Sequence, residues 1–396
     1  MRFVHTSDWQ LGMTRHFLAG EAQARYTAAR IDAIRAIGQV ARAENAQMVV
    51  VAGDVFDSNL VAPATVQRAL DAMESVGLPI YLLAGNHDPL DAVSIYRSAA
   101  WQRQCPANVH VLEPGVNITE TGAQIVAAPW HSNDPRADLL GRELNELAES
   151  SVRATVPRIA VGHGIVDALD PSGSNVAAIR LERLERALDE GLVQYVALGD
   201  KHTRLSVGTT GRVHYSGASE VTSFREELPG DVLVVDVQVD GAVEVQPRHV
   251  GTWAFTQVEQ RLLGLADVEA LDRTLAALDP KDRTVVRTKL VGTLTLREKA
   301  LLDDVLDGHG HSFAALFGWA RHEDIAVTLD GADVENMHVS GFVESAAREL
   351  AQVAAQPVGE GSDENGGDRE GGEATAAGVA RDALSLLFRL AAGARR

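Results

Sequence analysis

Short uninterrupted apolar runs alternate with stretches of helical periodicity over the first half of the chain. Residues 2–5 read as a short strand entering His5-Thr6-Ser7-Asp8-Trp9-Gln10. Between Glu21 and Ala43, the recurrence of Ile31, Ile34, Ile37 and Ala41 predicts an amphipathic helix. Residues 47–52 (QMVVVA) form a β-branched run that stops at Gly53-Asp54. Residues 65–76 are helical in pattern, and 79–84 (PIYLLA) form a second buried run that stops at Gly85-Asn86. Strand, helix, strand, helix, strand with continuous apolar runs predicts an α/β fold with a parallel sheet covered on both faces. The pattern continues with strands at 125–128, 159–161 and 195–198 and helical stretches at about 136–150 and 176–190. Residues 231–239 and 243–247, joined by Asp240-Gly241, predict a hairpin.

The character changes near Gly251. Residues 285–296 alternate like a strand, 298–306 are helical, 325–329 are a strand and 342–353 a helix. This predicts a small α+β domain over 251–356, after a first domain over 1–250. Residues 357–378 carry GEGSDENGGDREGGE, with a net charge of −5, too polar and glycine-rich to bury anything, and predict a disordered linker. Residues 379–396 return to amphipathic helix, with Leu384, Leu387, Phe388 and Ala391 on one stripe and a net charge of +3. Such a tethered helix reads as a docking element for a groove or coiled coil of another protein; folding back on its own chain is the alternative.

Length and composition narrow the chemistry. The chain has 396 residues, enough for two or three domains, and its single cysteine, Cys105, excludes a disulfide framework and a cysteine-built zinc site. A reducing, cytoplasmic setting agrees with this. No uncharged apolar run approaches the roughly 20 residues of a membrane span, and no signal-peptide segment is visible at the N-terminus. The formal net charge of −19 argues at first sight against a nucleic-acid partner.

Five polar clusters each follow a predicted strand: Asp8-Trp9-Gln10, Gly53-Asp54-Val55-Phe56-Asp57, Gly85-Asn86-His87-Asp88, Gly162-His163-Gly164 and Gly199-Asp200-Lys201-His202. Open α/β sheets build their sites at such strand ends. One glycine-aspartate after a strand is commonly only a turn; five such clusters in order are a site. Oxygen and imidazole donors without a thiolate suit Mn²⁺, Mg²⁺ or Fe²⁺. Two such cations about 3.5–4 Å apart need a bridging carboxylate, and Asp54 on the turn after Gly53 is the natural one. The chemistry this serves is in-line hydrolysis of a phosphoester.

The order D-x-Q, GDxxD, GNHD, H, GDxH over residues 1–226 resembles the calcineurin-like metallophosphoesterase superfamily. Within it, HTSDWQLG, GDVFD and YSGASEVTSFRE at 215–226 resemble the SbcD nucleases. The resemblance implies a four-layer αββα sandwich, followed by a capping domain and the tethered helix. It implies one cation held by Asp8, Gln10, Asp54 and His202, and a second by Asp54, Asn86, His163 and Asp200. His87 would assist at the phosphate and leaving oxygen, with Asp88 orienting it and Asp57 a further supporting acid. The implied activity is a 3′→5′ exonuclease and single-strand endonuclease in double-strand break repair and recombination. A homodimer, a coiled-coil ATPase partner of the SbcC type bound through the C-terminal region, and a nucleoid-associated location in the cytoplasm go with it. A phosphodiesterase for small nucleotides and a catalytically weakened scaffold are the alternatives.

Family members usually carry histidine where this chain has Gln10 and Asp200. The exchange enriches the site in oxygen and adds one negative charge, which favours Mn²⁺, or Mg²⁺, over softer metals. Nucleic-acid contacts are expected from Arg15, His16 and Lys201 beside the clusters. Arg287 and Lys289 lie in a 281–299 stretch of net charge +4, for which an ordinary solvated strand face is the competing account. Gly308-His309-Gly310-His311 reads as a flexible turn rather than a metal site. Asp8, Asp54 and Asp200 facing two divalent cations leave the occupied site locally positive, so the net charge does not exclude a nuclease. It predicts weak, salt-sensitive DNA binding by this chain alone.

Overall fold

The computed structural model describes residues 1–150, 156–238, 241–328, 341–354 and 376–393. It divides into two units, Met1–Ala254 and Phe255–Arg396.

In the first unit the strands are β1 (Arg2–Thr6), β2 (Val49–Val51), β3 (Ile80–Leu82), β4 (Val109–Val111), β5 (Gly115–Ile118), β6 (Gln124–Ala128), β7 (Arg158–His163), β8 (Tyr195–Gly199), β9 (Leu205–Val207), β10 (Val213–Tyr215), β11 (Asp231–Val237) and β12 (Val243–His249). Its helices are α1 (Gly20–Ala43), α2 (Pro63–Val76), α3 (Ala99–Gln104), α4 (Leu139–Glu149) and α5 (Leu181–Asp189). The strands form two six-stranded sheets, ordered β12-β11-β1-β2-β3-β4 and β5-β6-β7-β8-β10-β9. Strands β1 to β4 are parallel neighbours, as are β6, β7, β8 and β10. Antiparallel strands close the flanks: β11 and β12 on one sheet, β5 and β9 on the other.

Side-chain alternation along each strand explains the layering. Val49 and Val51 face the helices and pack with Ile34, Ile37, Leu70 and Met73. Their neighbours Met48, Val50 and Ala52 face the other way and pack with Ile125, Ile159, Val161, Tyr195 and Ala197 of the second sheet. On the far side of that sheet, Val126, Ala160, Val196 and Leu198 pack with Leu140, Leu144, Leu184 and Leu188 of α4 and α5. The result is the four-layer αββα sandwich. The single sheet read from the apolar pattern is thus two stacked sheets. A strand buried against a sheet on one face and a helix on the other gives the same continuous run as one between two helix layers.

The second unit contains β13 (Ala254–Leu262) through its residues from 255, with β14 (Thr284–Thr295), β15 (Ala315–Gly318), β16 (Asp324–Thr328) and helices α6 (Leu265–Ala277), α7 (Leu296–Gly310), α8 (Phe342–Ala354) and α9 (Ala376–Gly393). Strand β14 is long enough to serve two parallel partners, β15 along its first half and β16 along its second. Leu262, Leu271, Leu275, Val286, Leu290, Leu294 and Leu302 form its core. A capping box between Thr295 and Glu298 starts α7 directly at the strand's end. The 308–311 segment closes α7 rather than forming a flexible turn, and His309 Nε2 is bound to Asp272 Oδ1 at 2.7 Å.

One face of the expected docking helix is covered within its own chain. Ala380 and Leu384 of α9 are buried with Leu296, Ala347 and Ala354 of the same unit, and Ser385 Oγ donates to Asp303 Oδ2 at 2.7 Å. Burial of its stripe against α7 and α8 gives the helix a partner within its own chain. Val379, Leu386 and Leu390 stay exposed on the other side. The expected linker lies outside the described residues except for 376–378, which begin α9. Asp240 of the predicted hairpin turn also lies outside them, although β11 and β12 pair as a hairpin requires.

Candidate metal centre

Each polar cluster leaves a strand at the same end of the two sheets. Asp8 and Gln10 follow β1, Asp54 follows β2, Asn86 and His87 follow β3, His163 ends β7, and Asp200 and His202 follow β8. The backbone turns sharply there. Asp8, Gln10, Asp54 and Asp200 all have positive φ, at 53°, 50°, 55° and 96°. Gly53, with φ +96°, lies so close to His163 that a Cβ would sit 2.2 Å from the imidazole Nδ1. A Cβ on Gly199 would fall 2.0 Å from the Ala52 carbonyl oxygen. These two glycines let the strand ends of the two sheets approach closely enough to share one site.

Asp54 is the hub. Its Oδ1 accepts from the His87 backbone N at 3.0 Å and lies 3.4 Å from His163 Nε2. Its Oδ2 accepts from Gln10 Nε2 at 2.9 Å and lies 3.8 Å from His87 Nε2. His163 donates Nδ1–H to the Ala52 carbonyl at 2.8 Å, which directs Nε2 at Asn86 Oδ1 (2.8 Å) and towards Asp200 Oδ1 (4.0 Å). Asp8 is fully buried; it accepts from Ser7 Oγ at 2.5 Å and from the Asp200 backbone N at 3.2 Å. His202 Nε2 lies 3.7 Å from Asp8 Oδ1, and its Nδ1 meets Thr222 Oγ1 at 2.6 Å and Glu226 Oε1 at 3.2 Å. All seven expected ligands therefore meet in one cluster.

The electrostatics are those of a site rich in carboxylates. Burial alone would lower His163, yet Asp54, with Asp8 and Asp200, holds it well above the ordinary imidazole range. Burial likewise opposes His202, and Glu226 and Asp8 raise it. Burial raises Asp8 despite His202 and His163, whereas for Asp54 the pull of His163 and His87 outweighs burial and lowers it. In effect, shared imidazole protons offset the acids.

A divalent cation fits this donor set. Asp8, Asp54 and His163 each offer a ligand atom, and these lie within 4.8 Å of one another. Gln10 Oε1 is buried with no partner, an uncommon state for a buried polar atom that a cation would satisfy.

The helper residues differ from expectation. Asp88 does not orient His87. Its carboxylate is buried and accepts from Gly85 N (2.8 Å), Phe56 N (3.1 Å) and Tyr96 OH (2.5 Å), tying the Asp54 and Asn86 loops together. Burial, then the charge of Asp54, pushes its pKa up to about 6. His87 instead gives Nδ1–H to the Asp57 backbone carbonyl at 2.9 Å, so Asp57 acts through its main chain. The His87 side chain is 41% exposed, open to a substrate. Thr222 and Glu226 were not singled out as site residues from sequence. Their only signal is the 215–226 stretch, because 24 residues separate Glu226 from His202.

Of the expected nucleic-acid contacts, Lys201 is half-buried between Asp200 and His202. The Arg15 backbone N donates to Gln23 Oε1 at 2.9 Å, and exposed His16 meets the Phe17 ring edge-on at 5.2 Å. In the second unit, the Arg287 guanidinium lies 3.9 Å over the Trp319 ring and bonds Gln257, while Lys289 pairs with Glu259 at 3.0 Å.

Residues 1–204 match the calcineurin-like phosphoesterase family. The chain is 29% identical to the SbcD component of the nuclease SbcCD from Rhodobacter capsulatus over 299 residues, covering 63% of this chain and 69% of that protein. Against the SbcD component from Bacillus subtilis it is 34% identical over 283 residues, 64% and 68% of the two chains. It is also 23% identical over 327 residues to the uncharacterized metallophosphoesterase YhaO of Bacillus subtilis, 78% of this chain and 76% of that one. The chain therefore belongs to the calcineurin-like phosphoesterase family, as an SbcD-like, metal-dependent hydrolase of phosphodiester bonds.

Proposed function

We propose that this protein cleaves the phosphodiester backbone at DNA ends during double-strand break repair, as a 3′→5′ exonuclease and single-strand endonuclease of the SbcD type. The observation that carries the reading is the Asp8–Asp54–His163 cluster at the shared strand ends of a calcineurin-like sandwich, with donor atoms within 4.8 Å. Asp8, Gln10, Asp54 and His202 would hold one cation and Asp54, Asn86, His163 and Asp200 the other, an oxygen-rich donor set that favours Mn²⁺. When bound, two such cations lower the pKa of a water and offset charge on the phosphoryl group. Asp54 would serve both; in support, its Oδ1 lies beside His163 and its Oδ2 accepts from Gln10. His87 donates Nδ1–H to the Asp57 carbonyl, so its exposed Nε2 carries a transferable proton only as the imidazolium. In that form it protonates the departing 3′ oxygen.

Arg15, His16 and Lys201 touch the DNA backbone beside the cluster. Arg287 and Lys289, in the second unit, would have to exchange their present partners, Gln257 and Glu259, to bind phosphate. The protein works as a cytoplasmic homodimer with a coiled-coil ATPase of the SbcC type. The exposed Val379, Leu386 and Leu390 support a C-terminal contact with that ATPase. Among the described residues no helix is long and apolar enough to cross a membrane.

Incubation with Mn²⁺ and either end-labelled linear DNA or a chromogenic phosphodiester tests the reading, with His87→Ala in parallel. DNA degradation that disappears in the variant is the expected result. Hydrolysis of the small ester alone would replace the DNA reading with a small-nucleotide phosphodiesterase. Inactivity on both, with the ATPase partner present, would leave a scaffold.

A further inference from the structure

The two imidazoles of the centre are anchored by acceptors of different charge. His163 gives Nδ1–H to a neutral carbonyl, that of Ala52. His202 directs Nδ1–H at Thr222 Oγ1 and at Glu226 Oε1. Glu226 is fixed in turn: its Oε2 accepts from Thr222 N at 2.9 Å and its Oε1 from the Thr222 hydroxyl. Only 5% of its side chain is exposed, so water screens its charge poorly.

We propose that Glu226 is a positioning residue that sets, through His202, the affinity of the cation position built from Asp8, Gln10, Asp54 and His202, and leaves the His163 position alone. The proposal rests on the two-cation reading above. A carboxylate accepting from the far nitrogen fixes the tautomer and makes the near nitrogen a stronger donor. The two positions are otherwise matched: each has Asp54, a second aspartate (Asp8 or Asp200), one amide oxygen (Gln10 or Asn86) and one imidazole, so the charge behind the imidazole is what separates them.

The test is Mn²⁺ titration of the full chain without DNA, following free Mn²⁺ by electron paramagnetic resonance. Wild type is expected to bind two ions. Glu226→Gln keeps an acceptor for Thr222 but loses the charge, and should raise one dissociation constant on the order of 10- to 100-fold. The other constant, identified by its response to His163→Ala, should not move. Glu226→Asp, which restores the charge, should recover part of the loss. Melting curves establish that each variant is folded. Two wild-type sites with both constants unmoved in folded Glu226→Gln, or shifted equally, would overturn the role of Glu226. Fewer than two wild-type sites would instead overturn the two-cation reading.

Discussion

The first sheet of the sandwich delivers oxygen donors to the centre, Asp8, Gln10, Asp54 and Asn86, whereas the second delivers both imidazoles together with Asp200. The two sets are aimed differently. On the first sheet, left-handed backbone turns at Asp8, Gln10 and Asp54 set the side-chain directions locally. On the second, the imidazoles are aimed by distant partners, His163 by the Ala52 carbonyl of the other sheet and His202 by Thr222 and Glu226. The oxygen half is thus a product of local chain geometry, and the imidazole half of contacts from elsewhere in the chain, sheet stacking for His163 and the loop after β10 for His202.

Asp54 joins the halves, and its loss should have the largest effect. Asp54→Asn is expected to lower hydrolysis of a chromogenic phosphodiester by at least about 100-fold, since losing a ligand outweighs losing a ligand's partner. A loss of only a few-fold would mean the halves work separately. A pair of core truncations sharpens the contrast. Ile159→Ala, between the sheets, and Leu144→Ala, under α4, should each cost about 2–5 kcal/mol in urea unfolding. Only Ile159→Ala should also weaken Mn²⁺ binding; equal binding in both variants would detach the His163 side of the centre from sheet stacking.

Gly53→Ala addresses the contact itself. The added Cβ meets His163 and the residue must hold φ +96°, so a cost of about 1–3 kcal/mol is expected, read as a lower melting temperature. The smallest effect concerns His5, which bridges the sheets through Tyr195 OH (3.0 Å) and the Leu198 carbonyl (3.2 Å). Burial lowers its pKa to about 3 from the ordinary 6.5, so the unfolded chain takes up the proton first. Its contribution to stability is present above pH 6.5 and is lost as pH falls towards 3. The melting temperature should therefore drop on acidification, and drop less in His5→Asn. An identical drop would assign the acid sensitivity to other groups.

Much of the centre was legible because its residues sit at strand ends that the apolar runs mark, with Gly53-Asp54 and Gly85-Asn86 as punctuation. What escaped depends on partners far along the chain or on backbone atoms. Asp88 follows His87 directly, yet its carboxylate turns inward to Gly85, Phe56 and Tyr96. The acceptor for His87 is a main-chain carbonyl that side-chain identity does not reveal. Glu226 lies 24 residues along the chain from His202. The second sheet was legible through the motif resemblance and not through the apolar pattern, because Ile159 and Val161, facing a sheet, look no different in sequence from Ala160, facing a helix. The terminal helix carried an apolar stripe whose occupant, its own α7 and α8, only the fold identifies.

The left-handed residues of the centre have a consequence for engineering. Among the described residues only five non-glycine positions have positive φ, and four of them are Asp8, Gln10, Asp54 and Asp200. Such conformations cost on the order of 1–3 kcal/mol each, least for aspartate, and glycine would remove the cost. A screen that rewards heat resistance alone is therefore expected to enrich glycine at these positions, discarding the donors one by one while the sandwich grows sturdier.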